Sequence, residues 1–294
     1  MRTRAPTVTS SWVLPVLAGL ALACGGDSVT GPGQGTEVPE RIIAIAPGVT
    51  ERLFELGLGD RVVGVGDYAR WPQEVRTRPR IGGLFDTRLE TIAGLSADLA
   101  VLLPSEEELR DDLEAMGVEV LTVPSETIAD VEEMAQLIGR RCGAVAASEA
   151  FLERWHRELS PQTPTDSASR VLLTVTREPG RLADVLVSGP DTFLDELIRR
   201  LGAVNVMADA PMAYPQVGLE EIIIRDPQVV IELQAAPGMS ETLYQDWQRL
   251  ASEAPLTDVC VRVVAGDYVL IPGPRLPRLY RELAKALLEC RVEP

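Results

Sequence analysis

The chain has 294 residues, 46% of them hydrophobic and 24% charged, with a net charge of −16. That length suits two lobes better than one core, and the composition excludes a disordered or fibrous protein. The acidity argues against nucleic acid, or an anionic membrane face, as a partner for the whole surface.

Residues 1–23 differ in kind from the rest. Arg2 and Arg4 precede an apolar run from Trp12 to Ala23, which is shorter than the roughly 20 residues that span a bilayer and reads as a secretory signal. Ala23 before Cys24 is similar to a bacterial lipobox, in which the cysteine is acylated and becomes the first mature residue, although Ala21 stands where leucine is usual. Residues 24–37 are a Gly/Ser/Thr/Pro tract that reads as a flexible tether. Loss of the signal would remove two arginines and move the net charge from −16 to −18. The expected product is a membrane-anchored lipoprotein of the periplasm or cell surface.

The elements that follow are predicted in chain order. Ile42 to Ala46 form a buried strand, Pro47 and Gly48 break it, and a helix carrying Leu53, Phe54 and Leu56 closes at Gly57. A strand at Arg61 to Val65 leads into a loop rich in Pro and Gly. A helix opening at Leu89, a strand at Leu99 to Leu103, an acidic helix ending at Gly117 and a strand at Val118 to Val123 complete residues 38–125 as an N-terminal α/β lobe. Alternation of strand and helix with short links implies parallel pairing. Residues 126–160 carry no strand signal and read as one long connecting helix, kinked or interrupted at Gly139 and Gly143 and stiff enough that little closing motion should accompany binding. Residues 168–292 form a second α/β lobe. In it a strand at Val171 to Thr176, a turn at Pro179-Gly180 and a strand, Gly-Pro break and helix are followed by the loop NVMADAPMAYPQVG. A helix-strand unit, a helix near Glu241 to Leu250, a strand at Val261 to Ala265 and a last helix from about Pro274 complete it.

The two lobes share a repeat. LETIAGLSADLAVLL at 89–103 aligns without a gap on LEEIIIRDPQVVIEL at 219–233, with Glu90 on Glu220. The expected fold class is therefore two Rossmann-like α/β lobes, joined by a long helical connector, with a ligand cleft between them.

Catalytic signals are sparse. The single histidine, His156, cannot supply a transition-metal site, and the chain has no P-loop, no GxSxG and no CxxC. No metal site, no resident cofactor and no enzymatic activity are expected. In an exported chain disulfides are permitted. Cys260 and Cys290 are the candidate pair and Cys142 the remaining thiol, with three free thiols as the open alternative. Tyr68, Trp71, Phe85, Tyr214 and Tyr268 fall in loops beside Pro and Gly, where the carboxyl ends of parallel strands form a ligand crevice.

RIIAIAPGVTERLFELG, IGGLFDTRLETIAGLSADLAVLL, YPQVGLEEIIIRDPQVVIEL and GPRLPRLYRELAKAL, taken together and in order, resemble the helical-backbone substrate-binding proteins of ABC importers, which carry cobalamin, ferric siderophores and haem. The resemblance covers nearly all of residues 38–292 and is strongest to the cobalamin-binding members. It implies that Tyr68 and Trp71, in the segment YARWP, together with Tyr214, Asp267 and Tyr268, contact a corrinoid transported between the lobes. Leu84, beside Phe85, stands where those members have a ligand-contacting tryptophan, and Arg70 stands where they have an acid. It further implies that Glu90 and Glu220, one per lobe, engage arginines of a permease dimer, since a two-fold partner needs two equivalent handles. The expected partners are thus a corrinoid, an ABC permease dimer and, through Cys24, a membrane. The protein itself is expected to be a monomer. The alternatives are a ferric siderophore or haem as ligand, a metallocofactor enzyme on a related fold, and a corrinoid scavenger without a permease.

Overall fold

The computed structural model describes residues 37–161, 168–235, 238, 240–253 and 259–292. The signal expected at 1–23, the tether as far as residue 36, and Cys24 with its acylation lie outside the described residues.

The N-terminal sheet is built from β1 (Ile42–Ala44), β2 (Val62–Val65), β3 (Leu99–Leu102) and β4 (Glu119–Thr122), in the order β2-β1-β3-β4. All pairs are parallel. Helices α1 (Pro47–Glu55), α2 (Leu89–Leu95) and α3 (Arg110–Ala115) make the crossovers. Strands β1, β2 and β3 are apolar on both faces, as a sheet covered on both sides requires, whereas the edge strand β4 is half-exposed and carries Glu119. Ile42, Ala44, Leu99 and Val101 enter one core, whereas Ile43, Ile45, Ala100 and Leu102 enter another.

The connector is helical but in two pieces, α4 (Ile128–Arg141) and α5 (Val145–Glu158). The single stiff rod expected from the sequence is therefore replaced by a hairpin, and the break falls at Gly143, whose φ of +70° is the left-handed conformation glycine tolerates. Gly139 stays inside α4 because a side chain there would come within 2.8 Å of Ser148 Cβ. Trp155 donates its indole N–H to Glu132 at 3.1 Å, so the two helices run antiparallel. Arg52 of α1 is wholly buried against this hairpin, with its guanidinium 3.8 Å from the Phe151 ring centre. Burial pulls its pKa down to about 9.

The C-terminal sheet contains β5 (Arg170–Thr176), β6 (Val185–Val187), β7 (Val204–Asn205), β8 (Gln216–Val217), β9 (Val229–Gln234) and β10 (Cys260–Ala265), with helices α6 (Phe193–Arg200), α7 (Leu219–Arg225), α8 (Ser240–Glu253) and α9 (Leu276–Val292). The parallel set β7-β5-β9-β10 repeats the order of the first lobe. Strands β6 and β8 are an antiparallel addition on β5. The sequence predicts a loop over 205–218, because strands of two residues carry no readable alternation. One core runs from Val49 and Leu53 through Met134, Phe151 and Trp155 to Leu173, Leu197 and Leu283, and so joins both lobes to the hairpin.

The duplication extends to single hydrogen bonds. Arg41 donates from Nε to the Leu95 carbonyl at 2.8 Å, and Arg170 donates from Nε to the Asp226 carbonyl at 2.9 Å. Each arginine therefore satisfies carbonyls that a helix end leaves unpaired. Helices α2 and α7 stop at left-handed residues, Ser96 (φ 48°) and Asp226 (φ 46°), 130 positions apart as in the sequence repeat. Cys260 is bonded to Cys290, tying β10 to α9, while Cys142 is free and buried, its thiol pushed up to about 11 by burial.

Candidate ligand-binding cleft and rim

The loops that leave the carboxyl ends of the N-terminal strands are held by backbone and arginine contacts. After β2, Gly66 passes so close to the Ile45 carbonyl that a Cβ would lie 2.1 Å from it. Arg80 donates to the carbonyls of Gly66 and Ala69 at 2.8 and 2.7 Å and so fixes the segment that carries Tyr68. Asp67 is paired with Arg88 at 2.7 Å, and the Asp67 N–H donates to the Gly82 carbonyl, which ties this segment to the next loop. There Gly82 has a φ of +97°, and the Asp86 carboxylate accepts the Gly83 N–H at 2.9 Å. A Cβ on Gly83 would stand 3.3 Å from the Tyr68 ring.

This brings Tyr68, Leu84 and Phe85 together. Their exposures of 69%, 41% and 96% are high for large apolar groups.

In the C-terminal lobe the corresponding segment is 212–215. It hangs on Gly189, whose N–H donates to the Ala213 carbonyl at 2.8 Å and where a Cβ would meet the Met212 carbonyl at 2.4 Å. Met212 is exposed. Tyr214 is half-buried, packed against the joint core, and burial together with the charge of Glu126 pushes its phenol up to about 12. It therefore presents a neutral hydroxyl and part of a ring.

Trp71, Asp267 and Tyr268 meet at a third place, around Arg275. Tyr268 departs from expectation. It is only 2% exposed, folded back against the bare Gly266 and covered by the Arg278 guanidinium at 4.2 Å. Its ring is part of the core. Asp267 accepts from Arg275 at 2.6 Å, and Trp71 is half-buried with the same guanidinium 5.3 Å from its ring.

Three residues here escaped the sequence reading. Met212 was masked by its place in a Pro/Ala loop, although an apolar residue between Pro211 and Ala213 is itself a signal. Glu51 and Arg275 gave none, because a glutamate in a helix and an arginine after Gly-Pro look solvated until the fold buries them.

Glu90 and Glu220 are both exposed, each in the first turn of its seven-residue helix, α2 and α7. The helix behind each glutamate is anchored by an isoleucine that is 1% exposed, Ile92 and Ile222. Among the described residues no group of three or more His, Cys, Asp or Glu is placed to hold a metal ion, and no helix is long and apolar enough to cross a membrane.

Two covered sheets of like topology, a helical joint, and exposed aromatics at the carboxyl ends define a two-lobed α/β binding protein. Residues 42–246 match the periplasmic binding protein family, and the chain belongs to it. Among its relatives are the uncharacterized ABC transporter substrate-binding lipoprotein YvrC of Bacillus subtilis, 25% identical over 85% of this chain and 80% of that one, and the vitamin B12-binding protein of Vibrio cholerae, 24% identical over 80% and 84%. In fold it is similar to the periplasmic haem-binding protein HutB of Vibrio cholerae, with a TM-score of 0.72, 19% identity and coverage of 84% of this chain and 99% of that one.

Proposed function

We propose that this is the extracytoplasmic substrate-binding lipoprotein of an ABC importer, which captures cobalamin or a related corrinoid between its lobes and delivers it to the permease. The observation that carries the reading is the exposure of Tyr68, Leu84 and Phe85 on one lobe, with Met212 exposed and Tyr214 half-buried on the other. A wide, flat, mostly apolar ligand with a few polar substituents is what such walls recognise. The relatives support the reading, one by its vitamin B12-binding name and one by its name as an ABC transporter substrate-binding lipoprotein. The protein is a carrier and not an enzyme, has no cofactor of its own, and works as a monomer. Acylated Cys24 holds it to the membrane, with residues 24–37 as tether and residues 38–125, 126–160 and 168–292 as lobe, connector and lobe. Glu90 and Glu220 engage one permease subunit each. Calorimetric titration with cyanocobalamin tests the reading, and absence of heat and of any corrinoid absorbance shift on mixing refutes it. A haem or ferric siderophore is the second reading, favoured by Leu84, which gives the ligand a smaller apolar surface than the tryptophan of cobalamin-binding members. The same titration with hemin separates the two. Labelling with a radiolabelled fatty acid, lost in Cys24→Ala, tests the anchor.

A further inference from the structure

The contact between the lobes holds a charged cluster that spans both of them. Glu51 lies on α1, Asp267 follows β10 and Arg275 precedes α9. Arg275 donates from Nε to Glu51 Oε2 at 2.9 Å and from Nη2 to Oε1 at 2.5 Å, a two-pronged fork. From Nη1 it reaches Asp267 Oδ1 at 2.6 Å, and from Nη2 the Asp267 carbonyl at 3.3 Å. Glu51 is 1% exposed. The lobes touch here backbone to backbone, since a Cβ on Gly48 would lie 2.8 Å from the Pro272 carbonyl oxygen and one on Gly273 would lie 3.5 Å from Gly48 Cα. The Arg275 guanidinium stands 5.3 Å from the Trp71 ring centre and 5.7 Å from that of Tyr268. One cation thus receives a carboxylate and an aromatic ring from each lobe.

We infer that Glu51 and Arg275 form a clamp across the lobe interface that sets the position of Trp71, with Glu51 a positioning residue that acts through Arg275. The effect on ligand affinity rests on the function proposed above, whereas the effect on Trp71 does not. Planar two-pronged pairing fixes direction as well as distance. A ring packed on that guanidinium inherits the fixed direction. The charged groups facing Glu51 are Arg275 and Asp267 from the C-terminal lobe and Arg52 from its own helix. Burial dominates and raises the Glu51 carboxyl to about 7, against the pull of Arg275 and Arg52 and with the push of Asp267. Above that pH both carboxylate oxygens accept and the fork is charge-assisted. Below it one oxygen carries a proton, turns from acceptor to donor, and faces N–H groups it cannot pair with. The proton that loosens the clamp also relieves a buried charge, so the fold as a whole is not weakened by it.

The test is a pH titration of intrinsic fluorescence in the ligand-free protein, with the Trp71 component defined as the part missing in Trp71→Phe. The clamp predicts a single transition near pH 7 in the wild type and none in Glu51→Gln. Arg275→Lys, which keeps the charge and loses the fork, should hold the component at its acid value throughout. Cyanocobalamin should bind the wild type about three- to tenfold more weakly at low pH than at high pH, the net scale of one ordinary hydrogen bond. In Glu51→Gln the affinity should stay at the wild type's acid value at every pH. A Trp71 signal that does not titrate in the wild type, or titrates equally in Glu51→Gln, overturns the clamp. Absence of cobalamin binding at any pH overturns the ligand reading, and the fluorescence titration then decides the clamp alone.

Discussion

Replacing Phe85 by alanine should weaken corrinoid binding strongly and leave the fold nearly untouched. The ring is 96% exposed in the ligand-free protein. An aromatic side chain carries about 200 Å², so about 190 Å² is open to water, and a flat ligand that covers one face would bury about half of it. At about 25 cal/mol per Å² this is about 2.4 kcal/mol, or about fifty- to sixtyfold in affinity. For Tyr68, 69% exposed, the same reasoning gives about 1.7 kcal/mol, or about twentyfold. Tyr268→Ala should do the reverse, because a ring that is 2% exposed supports the core. It should cost about 3 kcal/mol of stability and change affinity only through that loss. Calorimetric titration gives the affinities and thermal unfolding gives the stabilities. Wild-type affinity in both Phe85→Ala and Tyr68→Ala would refute the placement of the cleft, and so would an affinity loss confined to Tyr268→Ala.

Alanine at both Glu90 and Glu220 should abolish or severely slow uptake while corrinoid affinity stays at the wild-type level, because each is exposed at a rim helix start and costs only about 0.3–1 kcal/mol of dipole stabilisation. Uptake at the wild-type rate in that double variant would return them to ordinary first-turn glutamates. Opening the Cys260–Cys290 bond, by reductant or by paired alanines, removes a closure over 30 residues and should lower unfolding stability by about 3.6 kcal/mol. An unchanged denaturant midpoint under reducing conditions would contradict this. Glu106, 5% exposed and accepting the Leu103 N–H at 2.7 Å, is raised by burial to about 7. Between the ordinary glutamate value and 7 the folded chain holds a proton that the unfolded chain has released, so its contribution to stability falls as pH rises through that window. In Glu106→Gln that part of the slope should vanish from a series of melting temperatures.

Much of the architecture was legible because it was written twice. The repeat at 89–103 and 219–233 reports a helix, a left-handed stop and a buried strand in each lobe, and Ile92 and Ile222 fall on the same core-facing position. The connector was legible as helix but not as hairpin, since Gly139 and Gly143 are equivalent in sequence. Only the approach of Ser148 decides that one stays inside a helix and the other turns the chain. The exposure of the loop aromatics was legible in part. Tyr68, Leu84 and Phe85 are exposed because their loops are pinned by Arg80 and by glycines the sequence displays. Tyr268 occupies an equally plausible loop and is buried, because Gly266 leaves room beneath it and Arg278 covers it from above. Such long-range fits have no local signature.

Each sheet is assembled from neighbours in the chain, residues 42–122 for one and 170–265 for the other, whereas the contact between Glu51 and Arg275 joins residues 224 positions apart. Loop-closure entropy makes contacts of that span late events in folding. A chain that emerges on the far side of a membrane amino end first can therefore complete its first lobe while the second is still unfolded. During that interval Glu51 has no guanidinium opposite it. The fork between Glu51 and Arg275 is thus a property of the joined lobes alone, formed only when the chain around residue 275 has arrived.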